Sequence, residues 1–190
     1  MRKTIEVIDD FYRDPYAQRE RALASDPARP AGTPAHAHSD GSMVVPDAET
    51  RTRIATLLGY ADDSLPELTS RLTRVGAGQE REAANPHTYD SHWAALVYLA
   101  LPKGQFSGGV GFYRPAAAAS APGATGSPVA GENPHPGHWE ETTYVPLTFN
   151  RMVLFQGAMA HRYTARTIDR GPAEDHIAQL FLFNEPDGGR

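Results

Sequence analysis

A change in sequence pattern near residue 85 constrains this chain more than any other feature. Beyond it, Trp93–Leu101, Val110–Tyr113, Thr142–Pro146, Met152–Phe155 and Ile177–Phe183 are short apolar or alternating runs separated by Gly, Pro and Asn. Runs of this kind, bounded by turn residues, read as strands. Short strands in close succession need a second layer to cover their apolar faces. This predicts an antiparallel sandwich or barrel over residues 85–190.

The first part of the chain reads differently. Thr4 to Ile8 alternates apolar and polar residues and predicts a strand. Asp14-Pro15 has the form of a helix start, with Asp14 as N-cap and Pro15 in the first turn, and the helix should run to Ala24. A second helix fits Asp47 to Leu58, with Ile54, Leu57 and Leu58 on one face and Gly59 as its stop. Leu65, Leu68 and Leu72 predict a third helix over Ser64–Val75. Residues 25–46 read as a long loop. A segment rich in Pro, Ala and Gly over 115–137 reads as an insert placed to act as a lid. There is no internal repeat. The expected architecture is α+β: one domain over 1–190, with a helical part (1–84) packed on a β core (85–190).

Composition removes several function classes. The 190 residues suffice for one core, and 40% hydrophobic content argues against disorder. With 18 basic and 23 acidic residues the net charge is -5, the wrong sign for a nucleic-acid surface. Cysteine is absent, which excludes disulfides, zinc–thiolate sites and iron–sulfur clusters. The opening residues lack the apolar stretch of a signal peptide, and no apolar run approaches membrane-spanning length. The expectation is a soluble cytoplasmic protein without a membrane partner. No Gly-X-Ser-X-Gly elbow, phosphate-binding Gly-Lys-Ser/Thr loop or dinucleotide fingerprint occurs, and Gly108-Gly109 reads as a turn entering a strand.

Imidazole and carboxylate chemistry remains. Phe149 to Ala160 is a largely apolar stretch that runs into His161, and His87-Thr-Tyr-Asp90 leads into the strand at Trp93. Two neutral imidazoles and one carboxylate can form the three-ligand face of a non-haem Fe(II) site, leaving positions open for a cosubstrate and O2. Strand residues two apart share a face, whereas His87 and Asp90 are three apart. A common site for them requires a bulge or turn at Thr88-Tyr89. His92, two residues from Asp90, is a rival ligand. His36-Ala-His38-Ser-Asp40 lies in the long loop and fits a solvated or lid segment better than a separate metal centre. His135-Pro-Gly-His138-Trp139 closes the insert, and Trp139 is a candidate substrate contact.

Several of these stretches, taken in order, resemble a known family. They are Ile8–Leu23, Tyr98-Leu99, Ser107–Pro115, Phe149–Phe155, His161 and Ile177–Asn184. Together they resemble the prolyl-hydroxylase-like branch of the Fe(II)/2-oxoglutarate oxygenases, and within it a small bacterial subfamily of largely unknown function. The resemblance implies a double-stranded β-helix (jelly-roll, cupin-like) core with N-terminal helices packed on it. It implies His87 and Asp90 as the first ligand pair, His161 as the distal ligand, and Tyr98 as a hydrogen-bond donor to the cosubstrate's distal carboxylate. The family places an Arg or Lys early in the last strand for that carboxylate, but here His176 occupies the position. His176 itself, or Arg162, Arg166 or Arg170 from the preceding segment, is then expected to take the role. Arg151 is expected to form a salt bridge at its strand start. The implied cofactor and cosubstrates are Fe(II), 2-oxoglutarate and O2. The implied reaction is hydroxylation, desaturation or oxidative ring closure at a C–H bond of a small molecule, such as an amino acid or natural-product intermediate. Arg114 and Arg162, with Glu140 and Glu141, are candidates for pairing with a zwitterionic substrate, and a homodimer is compatible with the chain. Two other readings stay open: a non-catalytic jelly-roll binding protein, and a metal-dependent cupin-type enzyme that does not use 2-oxoglutarate.

Overall fold

Local capping chemistry fixes both helices. Helix α1 (Pro15–Ser25) starts where the Asp14 carboxylate accepts the Ala17 amide at 2.9 Å. Helix α2 (Ala48–Leu58) starts where Asp47 accepts the Thr50 amide at 2.9 Å, and it ends at Gly59, whose φ of 79° is left-handed. These helices and eight strands make up the computed structural model, which describes residues 5–25, 45–60, 68–75, 86–101, 106–116, 139–167 and 176–184.

The strands are β1 (Ile5–Ile8), β2 (Thr69–Val75), β3 (Trp93–Tyr98), β4 (Phe106–Pro115), β5 (Trp139–Pro146), β6 (Met152–Gln156), β7 (His161–Thr167) and β8 (His176–Phe183). They form a five-stranded sheet in the order β1-β6-β3-β8-β2 and a three-stranded sheet in the order β5-β4-β7. Every ladder is antiparallel. The result is an α+β, jelly-roll-like structure of two sheets with two helices on one outer face.

Two sequence expectations change. The third helix is not formed: Thr69–Val75 is strand β2, paired along its length with β8 from Thr69↔Leu182 to Val75↔His176. Positions 64–67 of that predicted helix lie outside the described residues. The leucine spacing imitated a helix face, but Thr69, Thr73 and Val75 are β-branched, and the ladder to β8 pairs one edge of the backbone over all seven residues. The second change concerns His161. It does not end the apolar strand. Strand β6 stops at Gln156, a turn intervenes, and His161 opens β7 in the other sheet.

Strand alternation divides the interior into two layers. Trp93, Ala95 and Val97 of β3, Met152 and Leu154 of β6, and Phe181 of β8 pack toward the helices, against Phe11, Ile54 and Ala55. Ala94 and Tyr98 of β3 and Val153 and Phe155 of β6 face the smaller sheet, where they meet Val110, Phe112 and Val145. Strands β3, β6 and β8 are covered on both faces, which is why they read as nearly continuous apolar runs.

The helical layer is tied to the sheet through Asn150, which sits at φ 63° and is 4% exposed. Its carboxamide donates to the Tyr12 carbonyl at 2.9 Å and accepts the Tyr12 amide at 2.8 Å. The Tyr12 hydroxyl donates to Gln179 at 2.7 Å, and Gln179 donates to Ser70 at 2.7 Å. Arg151, at the start of β6, makes a two-pronged ion pair with Asp9 at 2.5 and 2.9 Å, as expected for a structural residue. Among the described residues no helix is long and apolar enough to cross a membrane.

Candidate functional site

The backbone brings two histidines from distant parts of the chain into direct opposition. His87 and His161 exchange both backbone hydrogen bonds, N–H to O, at 2.9 Å each. Residues paired in this way across antiparallel strands project their side chains to the same face. Their ring centres are 4.4 Å apart. With metal–nitrogen bonds of about 2.1 Å, two imidazoles bound side by side at right angles have ring centres about 4.5 Å apart. The ring spacing of the pair is compatible with a shared metal ion.

Each ring is held by its surroundings. The His161 Nδ1 lies 2.9 Å from the Met159 carbonyl oxygen, which fixes the proton on Nδ1 and leaves Nε2 with its lone pair. His161 is only 3% exposed, and Nε2 of both histidines is buried. The His87 segment is stitched to the β6–β7 turn: the Tyr89 amide donates to Gly157 at 2.8 Å, and the Gly157 amide donates to His92 at 3.0 Å. Glycine is required at 157 because a Cβ there would run into the Ser91 carbonyl. The segment is also anchored to the end of β8, where Asn184 accepts the His92 amide at 3.0 Å.

Around the pair the walls are aromatic and apolar. The Phe155 and Tyr89 rings each lie 4.7 Å from the His161 ring. A small cavity of about 20 Å³ is lined by Leu96, Phe155 and Leu180 of the larger sheet, by Val110, His161 and Tyr163 of the smaller, and by Tyr89. That is room for about one water molecule. Deeper between the sheets, Tyr98 is 2% exposed and stacks on Tyr163 at 5.8 Å. Its hydroxyl is buried and has no hydrogen-bond partner among the described residues. Burial, with smaller contributions from Tyr163, Tyr144 and Tyr89, pushes the Tyr98 phenol well above its ordinary range.

Sequence reasoning missed two residues here. Tyr89 is two positions from His87 and so shares its face; its ring is 5.5 Å from the His87 ring. Burial raises the Tyr89 phenol above its usual range, and the charge of Arg71 opposes that rise. Arg71 was hidden inside the predicted third helix. On β2 it pairs with Leu180, which lines the cavity, so it stands on the face that looks toward the smaller sheet. The spacing His-X-Tyr was a usable signal for Tyr89, whereas Arg71 had none until β2 was known to be a strand.

The other expected residues are placed as follows. Asp90 is exposed and does not join the imidazole pair. Among the described residues no group of three His, Cys, Asp or Glu side chains comes together as a metal site. The ring spacing of the two imidazoles is compatible with the implied iron, and the expected carboxylate does not join them. His92 is exposed. Arg114 is engaged by Glu140 in a bidentate pair at 2.9 Å across β4 and β5, with both side chains more than half exposed. Arg162 follows His161 and so points to the opposite side of β7, where its guanidinium lies 5.4 Å from the Tyr113 ring centre. Trp139 opens β5 opposite Pro115, and its indole N–H is buried without a hydrogen-bond partner among the described residues. Arg166 and His176 are placed by backbone alone, opposite Ser107 and Val75. Arg170, His36–Asp40, His135, His138 and most of the insert lie outside the described residues.

Compared with protein-family models and with curated proteins, the chain matches none.

Proposed function

We propose that this chain is a non-haem iron enzyme of the oxygenase type that uses 2-oxoglutarate and O2 to oxidise a C–H bond of a small molecule. The observation that carries the reading is the His87–His161 pair, its two Nε2 atoms buried and His161 lining an apolar cavity between the sheets, with one tautomer set by the Met159 carbonyl. Iron held there would supply O2 activation.

The chain's own residues have separable roles in this reading. His87 and His161 present nitrogen ligands from opposed strands, and their mutual backbone bonds resist any change in spacing. Phe155, Leu96 and Val110 keep the surroundings dry, which strengthens charge interactions and protects reactive species from water. The Tyr98 hydroxyl is a buried donor suited to a cosubstrate carboxylate. Arg71 supplies positive charge on the same side, a role the sequence had left to His176 or the segment before it. The cavity must widen to admit a 2-oxo acid, so binding should be coupled to movement of the tyrosines around it.

Anaerobic titration with Fe(II), followed by 2-oxoglutarate, tests this reading. The expected result is stoichiometric iron binding and then a visible charge-transfer band. Iron binding without the band favours a metal enzyme that does not use 2-oxoglutarate. Absence of iron binding favours a non-catalytic jelly-roll binding protein and ends the iron reading. His161→Ala should abolish iron binding; retention would show that the ligand set is wrong.

A further inference from the structure

We propose that the cavity beside His161 is a dry binding pocket for molecular oxygen. The choice of O2 as occupant rests on the oxygenase reading, whereas the dryness of the cavity stands without it. The wall is the basis. Leu96, Val110, Phe155, Ala178 and Leu180 make up most of the lining, and none has a polar side-chain atom. All five lie on β3, β4, β6 or β8, and each of these strands has a paired neighbour on both sides. Ladders on both sides take up the backbone N–H and C=O groups at these positions. Of the three polar residues that complete the lining, His161 has its Nδ1 against the Met159 carbonyl, and Tyr163 has its ring stacked on Tyr98. A buried water needs two to four polar partners, and a void walled mainly by hydrocarbon stays dry.

Size and polarity select the occupant. At about 20 Å³ the cavity takes one molecule of about the size of water. A 2-oxo acid requires the walls to part. A diatomic gas does not, being close to water in girth. Atoms that line an empty void lack dispersion partners on one side, and an apolar occupant restores those contacts without sacrificing a hydrogen bond to water. O2 is apolar and dissolves more readily in hydrocarbon than in water for the same reason. His161 forms part of the wall, so oxygen held here lies against one of the two imidazoles of the proposed metal centre.

The test places the metal-free full chain, with labelled methyl groups, under O2 pressure and reads paramagnetic relaxation of the methyl signals by NMR, with N2 at the same pressure as the blank. Val110, Ala178 and Leu180 line the cavity, and Ile54, Val97 and Leu154 are equally buried in the helical layer. Methyls of the first group should relax faster than those of the second by about twofold or more, because the gas concentrates in the void. Val110→Ile adds one methylene to the wall and should remove the excess at Ala178 and Leu180. Leu180→Val enlarges the void and should increase the excess at Val110 and Ala178. Equal relaxation in the two layers overturns the proposal, as does cross-relaxation from a resident water to the cavity methyls. An excess that neither variant changes, in folded protein, overturns it as well. Fe(II) titration of the same samples keeps the two readings apart. Iron binding without excess relaxation removes the oxygen pocket alone, whereas excess relaxation without iron binding keeps the pocket and removes the oxygenase.

Discussion

Replacing Tyr98 by Phe removes one atom, a hydroxyl oxygen buried between the sheets with no hydrogen-bond partner among the described residues. Withdrawing a hydroxyl from water without a replacement bond costs about 1–3 kcal/mol in proteins. The substitution recovers that cost. It leaves a void of about 10 Å³, which at about 24 cal/mol per Å³ gives back only about 0.2 kcal/mol. Phe keeps the ring that stacks on Tyr163 at 5.8 Å. The ligand-free variant should therefore be more stable than the wild type by about 1–3 kcal/mol, raising Tm by roughly 2–4 °C per kcal/mol for a chain of this size. Urea denaturation and thermal melts on metal-free, ligand-free protein measure this directly. With Fe(II) present, 2-oxoglutarate should then stabilise the wild type more than the variant, because the removed hydroxyl is the proposed carboxylate donor. If Tyr98→Phe instead destabilises the ligand-free protein by about 1 kcal/mol or more, the hydroxyl is already satisfied within the fold, and its reservation for a ligand is refuted.

Gly157→Ala should be costly, because the new methyl meets the backbone carbonyl of Ser91, which cannot swing aside as a side chain could. We expect a stability loss of about 2 kcal/mol or more together with weakened metal binding, since the same contact sets the spacing of the His87 segment from the β6–β7 turn. Unchanged metal affinity in a folded Gly157→Ala protein would show that this stitch does not position the pair. A pH series probes two carboxylates. Asp9 is held below its usual range chiefly by its hydrogen bonds from Arg151. For Asp47, burial acts upward but is outweighed by bonds from Thr50 and Gln18 and by the charge of Arg21. Both are depressed in the folded state, so the stability they confer is fully present above the ordinary aspartate range and is lost as pH falls through the lower folded values. The urea midpoint should hold steady from neutral pH down to that range and decline below it, with a shallower decline in Arg151→Met. An equally steep decline in that variant would remove the Asp9 pair from the account.

Elements governed by local chemistry were legible in the residues. Asp14, Asp47 and Gly59 announce helix ends because capping needs only neighbouring backbone groups. Strands β3, β6 and β8 announce themselves because burial on both faces demands apolar residues throughout. β2 was misread because leucine spacing in a short segment fits a helix as well, and the decision lay with the distant β8 ladder. β7 gave no apolar signal: His161, Arg162, Tyr163 and Thr164 carry polar groups, and the strand is recognised through its pairing with β4.

The sequence by itself determined the supply of chemistry: no thiols, eight histidines, eight tyrosines, and short strands that must stack in two layers. Only the tertiary structure decided which groups meet. Antiparallel pairing set His87 directly opposite His161, the two-residue period of an extended chain brought Tyr89 to their face, and Asp90 was left exposed at the surface. The physical reason is that a ligand set belongs to one face of a sheet, and faces are assigned by strand register between segments far apart in the chain, which no local pattern records.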